Sequence, residues 1–303
     1  MKAAITIDVD SLRLYHDIHG LPPPDLDRDP IYTHALPRFW ELVDGLPVTL
    51  FLIGADAPHH AEAFAPAATS GSEIASHSYD HDYRLIRRSP AQIAHDLERA
   101  EAALAPLAGG RRPVGFRAPG YNVTPALLEV LLARGYRYDS SLLPAPYYYA
   151  ARAGALGWYR IRGRRSRSLA GDPRAFCGPT GPYRTSPARY WRRVRDGALT
   201  EIPMAVEPAT RLPIIGTSWV LWPRRFRNAL LDRTLRAGAP FVFEMHAIDL
   251  LDASDPGVAP ALRDHQPDLR RSARAKQDAL VDLVRRVGRT AEWQTLAAWA
   301  TEI

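Results

Sequence analysis

The chain has 303 residues, 46% apolar and 24% charged, which excludes a disordered polypeptide and supplies enough side chain for a large core. Its formal net charge is +6, and Lys2 and Lys276 are the only lysines, so the basic character is almost entirely arginine. Such a surplus suits phosphate-bearing partners, although a genome rich in arginine and alanine codons produces the same composition.

Met1-Lys2 leads straight into Ala3-Ala4-Ile5-Thr6-Ile7, a strand pattern rather than a leader or a spanning segment, so a cytoplasmic location is expected. With Cys177 as the only cysteine, an intramolecular disulfide is impossible, and a small buried role is expected for it. In chain order, residues 3–8 read as a first strand. A long loop rich in proline and aspartate is expected over 15–32, then a helix over 37–46. Residues 48–53 (VTLFLI) form a second strand, ended by Gly54, and 59–70 a helix. A short strand at 73–76 precedes a helix over 90–108; a strand at 114–117 precedes a helix over 125–134. Ser89-Pro90 and Thr124-Pro125 are N-cap-then-proline starts, and Gly71, Gly109 and Gly135 stand just past three helix ends. Strands follow at 136–139, 199–203 and 241–246 (FVFEMH), with helices over 224–237 and 272–287.

Alternating strands and helices with near-continuous apolar strands imply a parallel sheet covered on its faces. About seven such units would close into an irregular, TIM-like (β/α)7 barrel, an α/β fold whose active site lies at the C-terminal strand ends. An open doubly wound sheet has the same periodicity. Residues 1–303 read as one domain. Within it, 143–198 form an insertion or lid holding Tyr147-Tyr148-Tyr149, Trp158 and an arginine run at 160–167.

The chemistry-bearing residues fall on those strand ends. The first strand ends Asp8-Val9-Asp10, the third runs into His77-Ser78-Tyr79-Asp80-His81, the fourth into Arg117, and the last into His246. Two histidines four apart can share one metal, and a carboxylate as third ligand leaves room for water and substrate. Of the two aspartates, one can bind metal while the other stays free to take a proton. Singly, each feature has an ordinary explanation: a surface histidine pair, a solvated Asp-x-Asp, a surface ion pair, a core histidine. Their convergence on one end of the barrel does not.

These segments resemble the NodB-homology polysaccharide deacetylases over roughly residues 3–250. Thr6-Ile7-Asp8-Val9-Asp10 stands for the opening acidic motif and His77-Ser78-Tyr79-Asp80-His81 for the paired-histidine motif. Arg117-Ala118-Pro119, followed by Gly120-Tyr121, is similar to the third motif; Tyr138-Asp139-Ser140-Ser141 matches the fourth loosely, and His246 the fifth. The resemblance implies that Asp10, His77 and His81 bind a divalent metal, zinc or a similar ion. It makes Asp8 the general base, held by Arg117, and His246 the general acid. Gly120, Tyr121, Asp139 and Tyr147 are expected to contact substrate, and a backbone N–H near Gly120 to meet the oxyanion. His246 needs a neighbouring carboxylate to stay charged, and Asp139 or Asp249 could supply it. Ser78 is expected to bond backbone in its own loop.

The implied activity is removal of an acetyl or formyl group from the nitrogen of an amino sugar. The Asp-x-Asp form is similar to that of deformylases acting on lipid-linked sugars, which implies a small, phosphorylated or lipid-linked substrate and a peripheral position on the anionic inner membrane face. A non-sugar amide hydrolase and a non-catalytic carbohydrate-binding relative are the competing readings. No nucleic-acid recognition motif accompanies the arginines, so no nucleic acid is expected. Trp219 and Trp222 are expected to pack the interior, and His16, His19, His34, His59, His60, His95 and His265 to lie on the surface, with His16 near enough to the aspartates to touch substrate.

Overall fold

The computed structural model describes residues 1–25, 28–161 and 172–303. Its strands are β1 (Lys2–Val9), β2 (Thr49–Leu52), β3 (Glu73–Ser76), β4 (Gly115–Phe116), β5 (Tyr138–Asp139), β6 (Tyr183–Thr185), β7 (Leu199–Glu201), β8 (Phe241–His246) and β9 (Glu292–Trp293). They form one curled sheet in the order β6-β7-β5-β4-β3-β2-β1-β8, with β9 paired to the start of β1. Every pairing is parallel except β6 with β7. Beyond β7 the chain reaches the other edge: Ile202 N–H donates to Asp139, Met204 N–H to Leu142, and Ala205 N–H to Val242 of β8 at 2.8 Å. That last bond spans the gap between the sheet's two ends, and the result is the irregular α/β barrel expected from the sequence.

Strand alternation explains where everything sits. Along β1, Ala3, Ile5, Ile7 and Val9 face the outer helices in the main core. Ala4 points the other way, into a layer with Phe51, Ala75, Tyr138, Ile202 and Val242, which helix Leu296–Ala300 plugs from below with Leu296 and Trp299. Thr6 and Asp8 continue that inner face upward, and both are fully buried. Gly115 is required in β4 because a Cβ there would overlap the Tyr138 ring. Hence the interior is apolar low in the barrel and polar at the C-terminal ends of the strands.

Helices cover the outside as their caps dictate. Helix Pro90–Leu104 starts on a reciprocal box of Ser89 and Gln92 and buries Ile93, Leu97, Ala100 and Leu104. It stops short of residue 108 because Pro106 cannot continue it, and a 3-10 turn, Pro106–Ala108, follows. The proline- and aspartate-rich stretch is less of a loop than expected. Residues Leu12–His19 are helical and end on Gly20 at φ 66°, and a single π turn, Ile31–Ala35, leads into helix Leu36–Val43. Leu12, Leu14 and Tyr15 are buried, and that packing overrides the loop-like composition further on. The 143–198 segment contributes helix Pro146–Ile161 and the antiparallel strand β6. The Trp158 side chain and the arginines of the 160–167 run fall outside what the structure describes.

Candidate metal centre and active site

The parallel strands deliver their C-terminal residues to one end of the barrel. In the β1 register Asp8 stands opposite Phe51 on β2 and His246 on β8. His77 follows β3 directly, and Arg117 follows β4. Ser78 and His81 both adopt left-handed backbone, φ 68° and 53°, which is unfavourable for residues with a side chain and typical of loops constrained by function. Ser78 Oγ accepts from the His81 N–H at 3.0 Å and so holds the loop in shape.

The histidine rings converge on Asp10. His77 Nδ1 lies 2.7 Å from the Arg117 carbonyl, which can only accept, so the ring's lone pair is on Nε2. That Nε2 and the Nε2 of His81 each stand 3.5 Å from Asp10 Oδ1. Burial pushes His77 down to about 4 and His81 to about 3, so both rings are neutral at pH 7. Asp10 Oδ1 is buried and has no hydrogen-bond partner. Ligand atoms held at about 2.0–2.1 Å from a tetrahedral ion lie about 3.3–3.4 Å apart, close to the separations seen here. The bare Asp10 oxygen facing the His77 lone pair is repulsive on its own, and a cation between them, with His81 turning its own Nε2 lone pair to it, removes the conflict. The three residues fit a divalent ion.

Asp8 is held differently. Its Oδ1 accepts from Arg117 Nη1 at 2.5 Å, and both side chains are fully buried. Arg117 also donates to Thr6 Oγ1, the Ser140 carbonyl and Ser140 Oγ, and its guanidinium lies 4.0 Å over the Phe51 ring. Burial pushes the Asp8 carboxyl up, but Arg117, with His77 and His246, outweighs it and holds the carboxyl below its ordinary value. The other oxygen, Oδ2, is buried without a hydrogen-bond partner, 3.9 Å from both His77 Nε2 and His246 Nε2.

His246 ends β8 with its side chain 25% exposed, more than any of Asp8, Asp10, His77 or Arg117. Its Nδ1 lies 2.9 Å from Glu244 Oε1, and its Nε2 faces Asp10 at 3.8 Å. Burial pushes the imidazole down, but Glu244 reverses this and raises it well above the ordinary histidine value. Glu244 is therefore the partner, in place of Asp139 or Asp249. Asp249 accepts from the His246 backbone N–H at 3.0 Å, and Asp139 is occupied with Ser141 and Glu201. The sequence held a signal for it. Glu244 is a lone charge in an apolar strand, two residues from the histidine, and hence on the same face.

The remaining predicted contacts divide. Gly120 has φ 62°, and the Tyr83 ring lies where a Cβ would stand; its carbonyl accepts from Arg152 at 3.0 Å. Tyr121 is buried, its ring 6.3 Å from that of His246. Its N–H donates to the Ala118 carbonyl at 2.9 Å and closes a turn. Asp139 is a buried structural residue: its Oδ1 accepts from Ser141 Oγ, which in turn accepts from the Ala118 N–H, the residue after Arg117. Tyr147 is 64% exposed; on the same helix Tyr148, one position on, turns inward to within 6.4 Å of Tyr121. His16 is buried, not on the surface, with Nδ1 against the Pro22 carbonyl. Cys177 is exposed, on a short 3-10 turn that buries only Ala175. Trp219 packs the core and donates to Ala279 at 2.8 Å.

Residues 31–138, which include His77, His81 and Arg117, match the family model described as polysaccharide deacetylase. A peptidoglycan deacetylase-like protein of Gibberella zeae is 38% identical over 100 residues, covering 31% of this chain and 28% of that one. A peptidoglycan deacetylase of Helicobacter pylori is 26% identical over 153 residues, covering 48% of this chain and 52% of its own. The chain thus spans between about a quarter and a half of the length of these curated relatives. A solved Mycobacterium smegmatis structure assigned to the polysaccharide deacetylases superposes over 100% of this chain and 89% of its own, with a TM-score of 0.60 and 20% identity, and shares the fold. The polysaccharide deacetylase match thus falls on the stretch that carries the paired-histidine loop and the buried arginine, and the whole chain shares the fold of the solved Mycobacterium smegmatis structure.

Proposed function

We propose that the protein is a divalent-metal hydrolase that removes an acetyl or formyl group from the nitrogen of an amino sugar. The observation that carries this reading is the division of labour between two aspartates two residues apart. Asp10 Oδ1 faces both histidines, whereas Asp8 is tied through one oxygen to Arg117 and keeps the other free.

Asp10, His77 and His81 would hold the ion, zinc or a similar divalent metal. When bound, such an ion supplies positive charge that acidifies a water and polarises an amide carbonyl. Asp8 Oδ2 takes a proton from the attacking water, and Arg117 fixes the carboxylate's direction while keeping it ionised beforehand. His246, kept as imidazolium by Glu244, stands 3.9 Å from Asp8 and gives its Nε2 proton to the departing amine nitrogen. The acceptor and the donor of protons therefore sit side by side.

Asp8, Asp10, His77 and His81 are each at most 5% exposed, which supports entry of a small acyl group rather than a bulky one. Tyr83, Tyr121 and Tyr148 form an aromatic surround suited to a sugar ring. We extend the reading to a small or lipid-linked, phosphorylated amino sugar handled in the cytoplasm near an anionic membrane face. Metal-loaded protein should release acetate or formate from N-acyl amino sugars. Release only from linear or cyclic non-sugar amides would move the substrate class, and release from neither would overturn the proposal.

A further inference from the structure

Away from the barrel mouth, a cavity of about 470 Å³ opens between helices Arg224–Arg236 and Ala273–Gly288. Its size is within the usual range for small-ligand sites. Arg224, Arg227 and Arg285 line it together with Asp278 and Asp282.

Arg227 is the unusual member. It is 8% exposed, and its Nε is buried without a hydrogen-bond partner. Nη1 donates to the Trp219 carbonyl at 2.9 Å, and among the described residues no carboxylate lies within ion-pair distance of it. Burial pushes this guanidinium below its ordinary value; Asp282 opposes the shift, and Arg271 and Arg224 add to it. A buried cation without a paired anion is costly in a folded protein. The two acids at the rim pair along their own helix, Asp278 with Arg274 at 3.1 Å and Asp282 with Arg286 at 3.9 Å, so Asp282 acts on Arg227 only from a distance and does not outweigh its burial.

The backbone adds to the same field. Arg224 opens a thirteen-residue helix that has no acidic residue in its first turn and no side-chain cap. The partial positive charge of that helix end is therefore left for something else to balance. Three arginines and an uncapped helix start at one cavity supply the donors and positive charge that an oxyanion with several acceptor oxygens would take up.

We propose that this cavity binds the phosphate group of a small soluble ligand, with Arg227 as its buried anchor and Arg224 and Arg285 as its rim. The site is separate from the metal centre and independent of the reading given for it.

Calorimetric titration of the full chain with inorganic phosphate and with glucose 6-phosphate, in chloride buffer, tests this. Saturable binding is expected, weakened about tenfold or more in Arg227→Met. The double variant Arg224→Ala, Arg285→Ala alters only exposed side chains. It should weaken binding while leaving the thermal midpoint unchanged, so the test survives if Arg227→Met fails to fold. Arg137→Ala, remote from the cavity, should bind as the parent does. Absence of saturable binding, or equal binding by all variants, would overturn the proposal. So would Arg227-dependent binding seen only with phosphatidic-acid vesicles, since that would make the ligand a membrane headgroup.

Discussion

Glu244 and His246 stand two residues apart on one face of β8, and a Glu244 carboxylate oxygen lies 2.9 Å from the histidine Nδ1. The strand's own repeat delivers the counter-ion, so no distant segment has to dock to keep the imidazole charged. The raised value of His246 means that its protonated form persists as pH rises, and a reaction needing that proton fails only above the raised value. Glu244→Gln keeps the shape and removes the charge. The alkaline limb of the kcat/KM profile should move to lower pH by about one unit or more. An unmoved limb would show that another group sets it.

The Asp8–Arg117 pair is the second target, since both side chains are wholly buried. Arg117→Met strands the Asp8 charge and should cost about 3–5 kcal/mol in urea unfolding. Adding Asp8→Asn to that variant should recover a large part of the loss. Simple additivity of the two changes would contradict a direct buried pair.

Much of this was legible in the sequence, and the boundary of legibility has physical causes. Asp8, Asp10, His77, His81, Arg117 and His246 could be grouped because a parallel barrel gathers strand ends, whatever the distance along the chain. Glu244 escaped because its role depends on an i, i+2 relation inside a strand otherwise read only as core. Asp139 was misjudged because the fourth motif supports the arginine's backbone through Ser141 and Ala118, a second layer that spacing cannot reveal. Tyr147 and Tyr148 are one helical step apart, about 100° of rotation, so composition could not say which turns inward. The helix at Leu12–His19 was hidden by the prolines that follow it, although Leu12 and Leu14 are buried.

The Asp139–Glu201 pair predicts a pH effect on stability. Burial pushes Asp139 up to about 6 and Glu201 well above its ordinary value, and the two side chains share a hydrogen bond. Groups raised in this way stabilise fully below the ordinary carboxylate range and lose that contribution as pH rises from that range through the folded values, about 6 for Asp139 and higher for Glu201. Thermal midpoints should fall between about pH 5 and about pH 8. Glu201→Gln retains an acceptor for the Leu142 N–H and a donor for Asp139, and should flatten the slope.

The paired-histidine loop gives a further test. Ser78 Oγ is the acceptor that holds the His81 N–H, in a loop with two left-handed residues. Ser78→Ala should weaken divalent-metal affinity about tenfold or more, as loss of an outer support of a ligand does, with little change in the folded spectrum. Unchanged affinity would mean that the loop is set by packing alone.

The central claim is that Asp10, His77 and His81 hold one divalent ion while Asp8 does not. Metal content of the purified chain, measured by elemental analysis after equilibration with zinc, tests it most directly. One equivalent is expected in the parent and in Asp8→Asn, and none in Asp10→Ala or His77→Ala. Metal retained by Asp10→Ala, or lost from Asp8→Asn, would contradict it.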